Sequence, residues 1–246
     1  MSLRLEKTLI VMPAFNEEES VASVVAEVKT KLPGIAVLVV DDGSWDSTTR
    51  EALGAGALVA TLPFNLGVGG AMRTGFRFAV ANGFDNVVQI DSDGQHDPSD
   101  VLQLVEALSR ADLVVGARFA GEGDYRVRGP RRWAMVILAV VLSRSAKTKL
   151  TDTTSGYRAS GPKAVRLFAE HYPAEYLGDT IEALVLATRA GCTVSQLPVA
   201  MRARAGGAPS HHPFKAAAYL GRAVLALGFA FVRPASTFRV RGDTAR

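Results

Sequence analysis

The side chains best suited to chemistry are acidic and fall in three short clusters. Pro13-Ala14-Phe15-Asn16-Glu17, Asp41-Asp42-Gly43-Ser44 and Asp91-Ser92-Asp93-Gly94-Gln95-His96 each follow an apolar run. Two carboxylates two residues apart on a tight turn, such as Asp91 and Asp93, can present oxygens to one hard divalent cation that also takes phosphate oxygens. A metal with a diphosphate is the chemistry this spacing implies. A carboxylate after a strand also has a plainer use, capping the next turn or helix, and each cluster taken singly admits it.

Single residues exclude neighbouring chemistries. An EF-hand needs its glycine at the sixth loop position, whereas Gly94 is fourth from Asp91. Phosphatases with an aspartate nucleophile also use Asp-x-Asp after a strand, but they expect Ser or Thr where Gln95 stands and carry the motif on the first strand. That reading stays open as a different class, as does a non-catalytic nucleotide-sugar binding module. Gly67-Val68-Gly69-Gly70 fails as a dinucleotide fingerprint because Met72 stands where the last glycine belongs. Its turn can still bring N–H groups to a phosphate.

The elements that must position these clusters are legible as an α/β pattern. Between residues 8 and 116, β-branched runs alternate with amphipathic segments, the signature of a mostly parallel, Rossmann-like sheet with helices on both faces. Strands are expected at 8–12, 35–40, 57–60, 86–90 and 113–115, each apolar enough to be central. The first helix places Val21, Val24, Val25, Val28 and Leu32 on one stripe and stops at Pro33-Gly34. Asn82-Gly83 ends a second helix, and Pro98-Ser99 opens a third with Val101, Leu102, Val105 and Leu108 on its apolar face. Open sheets of this kind bind ligands beyond the carboxyl ends of their strands, where all three acidic clusters lie. Past residue 116 the alternation fades, leaving a Gly and Arg-rich stretch, an apolar run, a polar loop at 151–157 and a helix around 180–190.

With 246 residues, 48% apolar and 21% charged, the chain has ample material for a folded core. The single cysteine, Cys192, makes no internal disulfide, and no Cys and His cluster has zinc spacing, so a reducing compartment is expected. The start, MSLRLEKTLIVMP, lacks a signal-peptide core, which points to the cytoplasm. A net charge of +4 favours an anionic partner, and arginines without an aromatic stacking platform argue against nucleic acid.

Four ordered motifs, the residues 11–18, Val40-Asp41-Asp42-Gly43-Ser44, Asn65-Leu66-Gly67 with the glycines after it, and Asp91-Ser92-Asp93, resemble the signatures of family 2 glycosyltransferases with the GT-A fold. Asp91-Ser92-Asp93-Gly94-Gln95-His96, Thr154-Ser155-Gly156-Tyr157-Arg158-Ala159 and the later Leu197-Pro198-Val199 with Arg202, Arg204 and Gly207 are similar to the dolichyl or polyprenyl phosphate sugar synthases within it. The resemblance implies a GT-A domain over 1–212, with a nucleotide-binding half at 1–116, an acceptor half at 117–212 and a C-terminal amphipathic helix and tail at 213–246. It implies that Pro13, Ala14, Glu17, Asp42, Arg73, Asp91 and Ser92 meet the nucleotide, and that Asp91, Asp93 and Gln95 bind Mg²⁺ or Mn²⁺. Arg118, Arg132, Arg202, Arg204 and Ser210 would meet the acceptor phosphate, with Asp91, Asp93, Arg118 and Arg132 as the catalytic set. One departure is plain. Relatives read Arg-x-x-Gly-x-Ser-Lys late in the chain, but Arg204-Ala205-Gly206-Gly207-Ala208-Pro209-Ser210-His211 moves the serine by one and lacks the lysine.

The implied activity is inverting, metal-dependent transfer of a sugar from a GDP- or UDP-linked donor to a polyprenyl phosphate. The runner-up is transfer to a saccharide hydroxyl in cell-surface polysaccharide or cell wall synthesis, with Asp152 as its base. The apolar segments 133–142 and 216–232 are flanked by basic residues and too short to span a bilayer, so peripheral attachment to the inner face of the membrane is expected. The protein core or a homo-oligomer interface could bury them instead.

Overall fold

The computed structural model describes residues 5–117, 140, 142–144, 146, 148–173 and 179–202. Seven strands, β1 (Thr8–Ala14), β2 (Ala36–Asp41), β3 (Leu58–Thr61), β4 (Asn86–Gln89), β5 (Leu113–Ala117), β6 (Arg158–Ser160) and β7 (Val194–Pro198), form one sheet in the order β3-β2-β1-β4-β6-β5-β7. All neighbours run parallel except β6, which lies antiparallel between β4 and β5. Among the described residues, helices α1 (Val21–Lys31), α2 (Thr48–Gly54), α3 (Gly67–Ala81), α4 (Val101–Ala107), α5 (Pro162–His171) and α6 (Asp179–Arg189) accompany the sheet.

Because strand side chains alternate, β1 feeds two cores. Leu9 and Val11 pack with α3, α5 and α6, whereas Ile10 and Met12 pack with α1, α2 and α4. Both faces of the sheet are therefore covered, as parallel strands require. The stripe Val21, Val24, Val25, Val28 and Leu32 is buried as its spacing demands. On α4 the buried set is Val101, Leu104 and Val105, with Leu102 and Leu108 only partly covered. Helix α3 lies close on β1 because Gly75 has no side chain: a Cβ there would stand 2.4 Å from Val11 Cγ1.

The five expected strands are present, shifted by a residue or two at their ends. One expectation about them is corrected. β3 is not central; among the described residues it is the sheet edge, paired with β2 alone, and Leu58 and Thr61 are exposed. Beyond residue 117 the structure adds what the fading alternation hid, namely β6, α5 and β7.

Candidate active site

The ends of β1, β2 and β4 meet at one rim. The Asp42 N–H donates to the Ala14 carbonyl (2.8 Å), the Ser92 hydroxyl to the Pro13 carbonyl (3.2 Å), and the Ile90 N–H to the Val11 carbonyl (3.1 Å). Pro13, Ala14, Asp42, Asp91, Ser92 and Asp93 are thereby brought together. Glu17 is half-buried beside them. Its N–H donates to Thr48 Oγ1 (2.8 Å) and its Oε2 accepts from Ser20 Oγ (2.7 Å).

At the end of β2 the carboxylates build backbone. Asp42 accepts from the Leu66 N–H through Oδ1 and from the Gly67 N–H through Oδ2, both at 2.7 Å, and so shapes the turn that opens α3. Burial raises its pKa, those two N–H bonds oppose the rise, and the neighbouring Asp41 adds to it. Asp41 accepts from the Ser44 N–H (2.9 Å) and from Thr49 Oγ1. Gly43, at φ 76°, is required there because a Cβ would lie 2.8 Å from the Phe64 carbonyl carbon.

At the end of β4 the arrangement is more open. The Asp91 side chain is 39% exposed, with Oδ1 accepting from Gln89 Nε2 (3.1 Å) and Oδ2 standing 3.7 Å from His96 Nε2. His96 accepts the Asp91 N–H on Nδ1 (3.1 Å), which assigns the ring proton to Nε2, facing the carboxylate. The ring is buried and stacked on Tyr157 at 4.5 Å and 18°. Tyr157 donates to the Asp97 carbonyl (2.6 Å), and its burial, with Asp100 and Asp97 nearby, pushes the phenol pKa well up. Gly94 turns the chain at φ 76°, and Asp93 Oδ1 accepts from the Gln95 N–H (3.0 Å). Gly156 lies against Asp91: a Cβ there would stand 3.3 Å from Oδ2 and 3.4 Å from Oδ1, so glycine keeps that side of the carboxylate clear.

Asp91, Asp93 and Gln95 offer only oxygen ligands, which suits Mg²⁺ or Mn²⁺. Among the described residues no three His, Cys, Asp or Glu side chains are gathered to hold an ion by themselves. An ion here would complete its shell from the Gln95 amide and a ligand's phosphate oxygens.

Other expected site residues stand elsewhere. Arg73, expected beside the nucleotide, reaches from α3 to the Glu170 carbonyl on α5 (2.8 Å), because its position points it into the contact between those helices. Arg202, expected at the acceptor, is clasped by Glu27 (2.7 Å) and by Asp97, so its charge is already balanced. Its backbone serves the site instead, since the Arg202 N–H donates to the Gln95 carbonyl (3.0 Å) and Met201 bridges to His96. Asp152, the expected base for a hydroxyl acceptor, is fully buried, and its Oδ1 accepts from the Thr154 N–H and hydroxyl, both at 3.2 Å. Arg118, Arg132, Arg204 and Ser210 lie outside the described residues, as do most of 133–142 and all of 216–232.

Two supporting residues lie outside the expected site. Gln89, in the strand expected at 86–90, pairs with Arg158 across β4 and β6 and donates to Asp91. Buried Arg158 donates to the carbonyls of Ser155 (2.8 Å), Thr180 (2.6 Å) and Thr153 (3.0 Å), which holds the loop carrying Gly156. A polar residue in an apolar strand, two residues before Asp91, is the signal in the sequence for Gln89.

The mostly parallel seven-stranded sheet, with antiparallel β6 set into it, has the GT-A fold. The fold matches glucosyl-3-phosphoglycerate synthase from Mycobacterium tuberculosis, solved with Mn²⁺, UDP and glucosyl-3-phosphoglycerate, with a TM-score of 0.71, 24% identity and coverage of 92% of this chain and 80% of that one. The description Glycosyl transferase family 2 matches residues 9–168, and the chain belongs to that family. This sets aside the phosphatase reading. Undecaprenyl-phosphate mannosyltransferase of Micrococcus luteus is 36% identical over 160 residues, which are 62% of this chain and 65% of that protein. Polyprenol monophosphomannose synthase of Mycolicibacterium smegmatis is 32% identical over 176 residues, 63% of this chain and 61% of that protein. The match thus spans under two thirds of either relative. An uncharacterized glycosyltransferase of Mycobacterium bovis is 32% identical over 203 residues, 80% of this chain and 86% of that protein.

Proposed function

We propose that the protein transfers a sugar from a nucleotide-sugar donor, GDP-mannose or a UDP-hexose, to a polyprenyl phosphate, with inversion at the anomeric carbon. The observation that carries this reading is the half-open Asp91 carboxylate, two residues before Asp93 on an acidic turn, with only a glycine, Gly156, set against it. The names of the Micrococcus and Mycolicibacterium relatives support the lipid phosphate as acceptor. Asp91, Asp93 and Gln95 would hold Mg²⁺ or Mn²⁺, which when bound supplies charge stabilisation to the departing diphosphate. Glu17, Pro13, Ala14 and Ser92 line the nucleotide end of the same rim.

A lipid phosphate is ionised near pH 7 and is its own nucleophile. The reaction then needs orientation and not a base, which agrees with Asp152 being buried and bonded. Arg118, which follows β5 directly in sequence, joins Arg132, Arg204 and Ser210 as the proposed acceptor contacts. The basic-flanked segments 133–142 and 216–232 would hold the enzyme against an anionic membrane surface. Among the described residues no helix is long and apolar enough to cross a membrane. The test is to incubate the purified protein with GDP- and UDP-sugars, Mn²⁺ and a short polyprenyl phosphate, and to weigh the products. A glycosyl phospholipid is the expected result; products formed only on soluble saccharides would overturn the acceptor.

A further inference from the structure

One large side chain at the nucleotide end of the rim has no part in the account above. Trp45, on the loop after β2, is 81% exposed, more than any other large apolar side chain among the described residues. Exposure of that size usually goes with a side chain free to move, yet this one is anchored. Its backbone N–H donates to Asn16 Oδ1 (3.1 Å), which fixes the chain beneath the ring, and its indole meets the Phe15 ring edge-on at 5.0 Å and 88°. Asn16 in turn donates its N–H to Ser44 Oγ (2.8 Å) and holds φ 55°, the only left-handed backbone at a non-glycine among the described residues. Such a conformation persists where its surroundings fix it, and these places cluster at ligand sites. The loop also has to run where it does, because Gly43 touches the Phe64 backbone. Thus β1 and β2 together hold an indole in a set orientation with a broad face open to solvent.

We infer that Trp45 is a base-stacking residue, whose open indole face takes the planar base of the nucleotide. The inference rests on the donor reading given above. A ring face needs a flat partner and little shape matching, and every nucleobase presents one. Trp45 therefore sets how tightly the base is held, and hydrogen-bonding groups set which base it is. A lipid surface is the other common partner of an exposed tryptophan, but the charges here oppose it. Glu18 and Asp46 sit on the same pair of loops, linked through the Glu18 N–H to Asp46 Oδ2 (3.2 Å) and the Ser47 N–H to Glu18 Oε2 (2.9 Å). An acidic margin of this kind is repelled by an anionic leaflet, whereas a neutral base sees only the ring.

Calorimetric titration of the full chain, its Trp45→Ala variant and its Trp45→Phe variant with GDP and with UDP, each in Mn²⁺, tests the assignment, with Mn²⁺ and inorganic pyrophosphate as the control lacking a base. Trp45→Ala should weaken both nucleotides about tenfold, Trp45→Phe should recover most of the loss, and pyrophosphate binding should not change. In a Trp133→Phe background Trp45 is the sole tryptophan. Its fluorescence should then be quenched by either nucleotide, but not by pyrophosphate or vesicles of anionic phospholipid. Nucleotide binding by Trp45→Ala within about twofold of the unsubstituted protein would overturn the stacking role and leave the donor reading standing. A blue shift on vesicles with no response to nucleotide would also overturn it, in favour of the membrane. If the unsubstituted protein binds neither nucleotide, the donor reading falls and takes this one with it.

Discussion

Asp42, just past β2, and Asp91, just past β4, look alike in sequence and differ in what their oxygens meet. Asp42 is 3% exposed and spends both oxygens on the N–H groups that open α3. Asp91 is 39% exposed, shares one oxygen with Gln89 and leaves the other 3.7 Å from His96. The difference lies in what the neighbouring backbone offers. After β2, the turn at Asn65–Gly67 aims N–H groups at the acid; after β4, Gly156 withdraws its bulk from it. A carboxylate closed by backbone donors stabilises a loop, and one left partly open can stabilise a ligand.

Substitutions at the two ends should separate these roles. The largest effect is expected from Asp93→Asn, which keeps an acceptor for the Gln95 N–H but removes the charge. Turnover should fall at least about a hundredfold, the scale for losing an electrostatic stabiliser, while the thermal midpoint stays within a degree or two. If most of the metal-dependent activity survives, the two ends are alike after all. Next comes Asp42→Ala, which orphans two N–H groups at the start of α3. Each costs about 1–3 kcal/mol, so the Tm should drop by roughly 4–24 °C for a chain of this size, with calorimetric scanning as the measurement. An unchanged midpoint would remove Asp42 from the structural side.

The smallest expected effect concerns Asp97, a third acid that sits between the two types. Burial pushes its pKa up, but bonds from Lys31, the Ser99 N–H and Arg202 outweigh that and hold it well below the usual carboxylate value. A depressed pKa gives stability that is present above the unfolded value, near 4, and is lost as pH falls toward the folded one. Asp97→Asn should therefore lower the Tm by a few degrees at most at pH 7, and the gap from the unsubstituted protein should narrow steadily as the pH falls below about 4. A gap that stays constant with pH would show that the Arg202 clasp contributes through packing alone.

How much of this could be read in advance depended on distance along the chain. The continuous apolar runs of β1 and β2 and the α1 stripe are local patterns, and they were legible. The edge placement of β3 was not, because Leu58-Val59-Ala60 is as apolar as a central strand and only its missing neighbour distinguishes it. β6 is three residues with polar ends, Arg158-Ala159-Ser160, made a strand by the two strands flanking it. The acidic turn at Asp91 and Asp93 was found from its spacing. The separate task of Asp42 was hidden, since its donors Leu66 and Gly67 come from the far side of β3, and Arg202 was misplaced because its partner Glu27 lies at the other end of the chain.

The antiparallel insertion of β6 also governs the order in which the molecule can be made. β5 leaves the ribosome well before β6 and β7, the strands that flank it. Until residue 160 has emerged, β4 pairs only with β1 and β5 has no neighbour, so both present bare strand edges of the kind that recruit other chains. Pairs such as Val87 with Ser160 close long loops late, which makes assembly slow relative to a fold of local contacts. A nascent chain stalled near residue 120 should accordingly be bound by chaperones or lost to aggregation, whereas one released past β7 can complete the sheet in a single cooperative step.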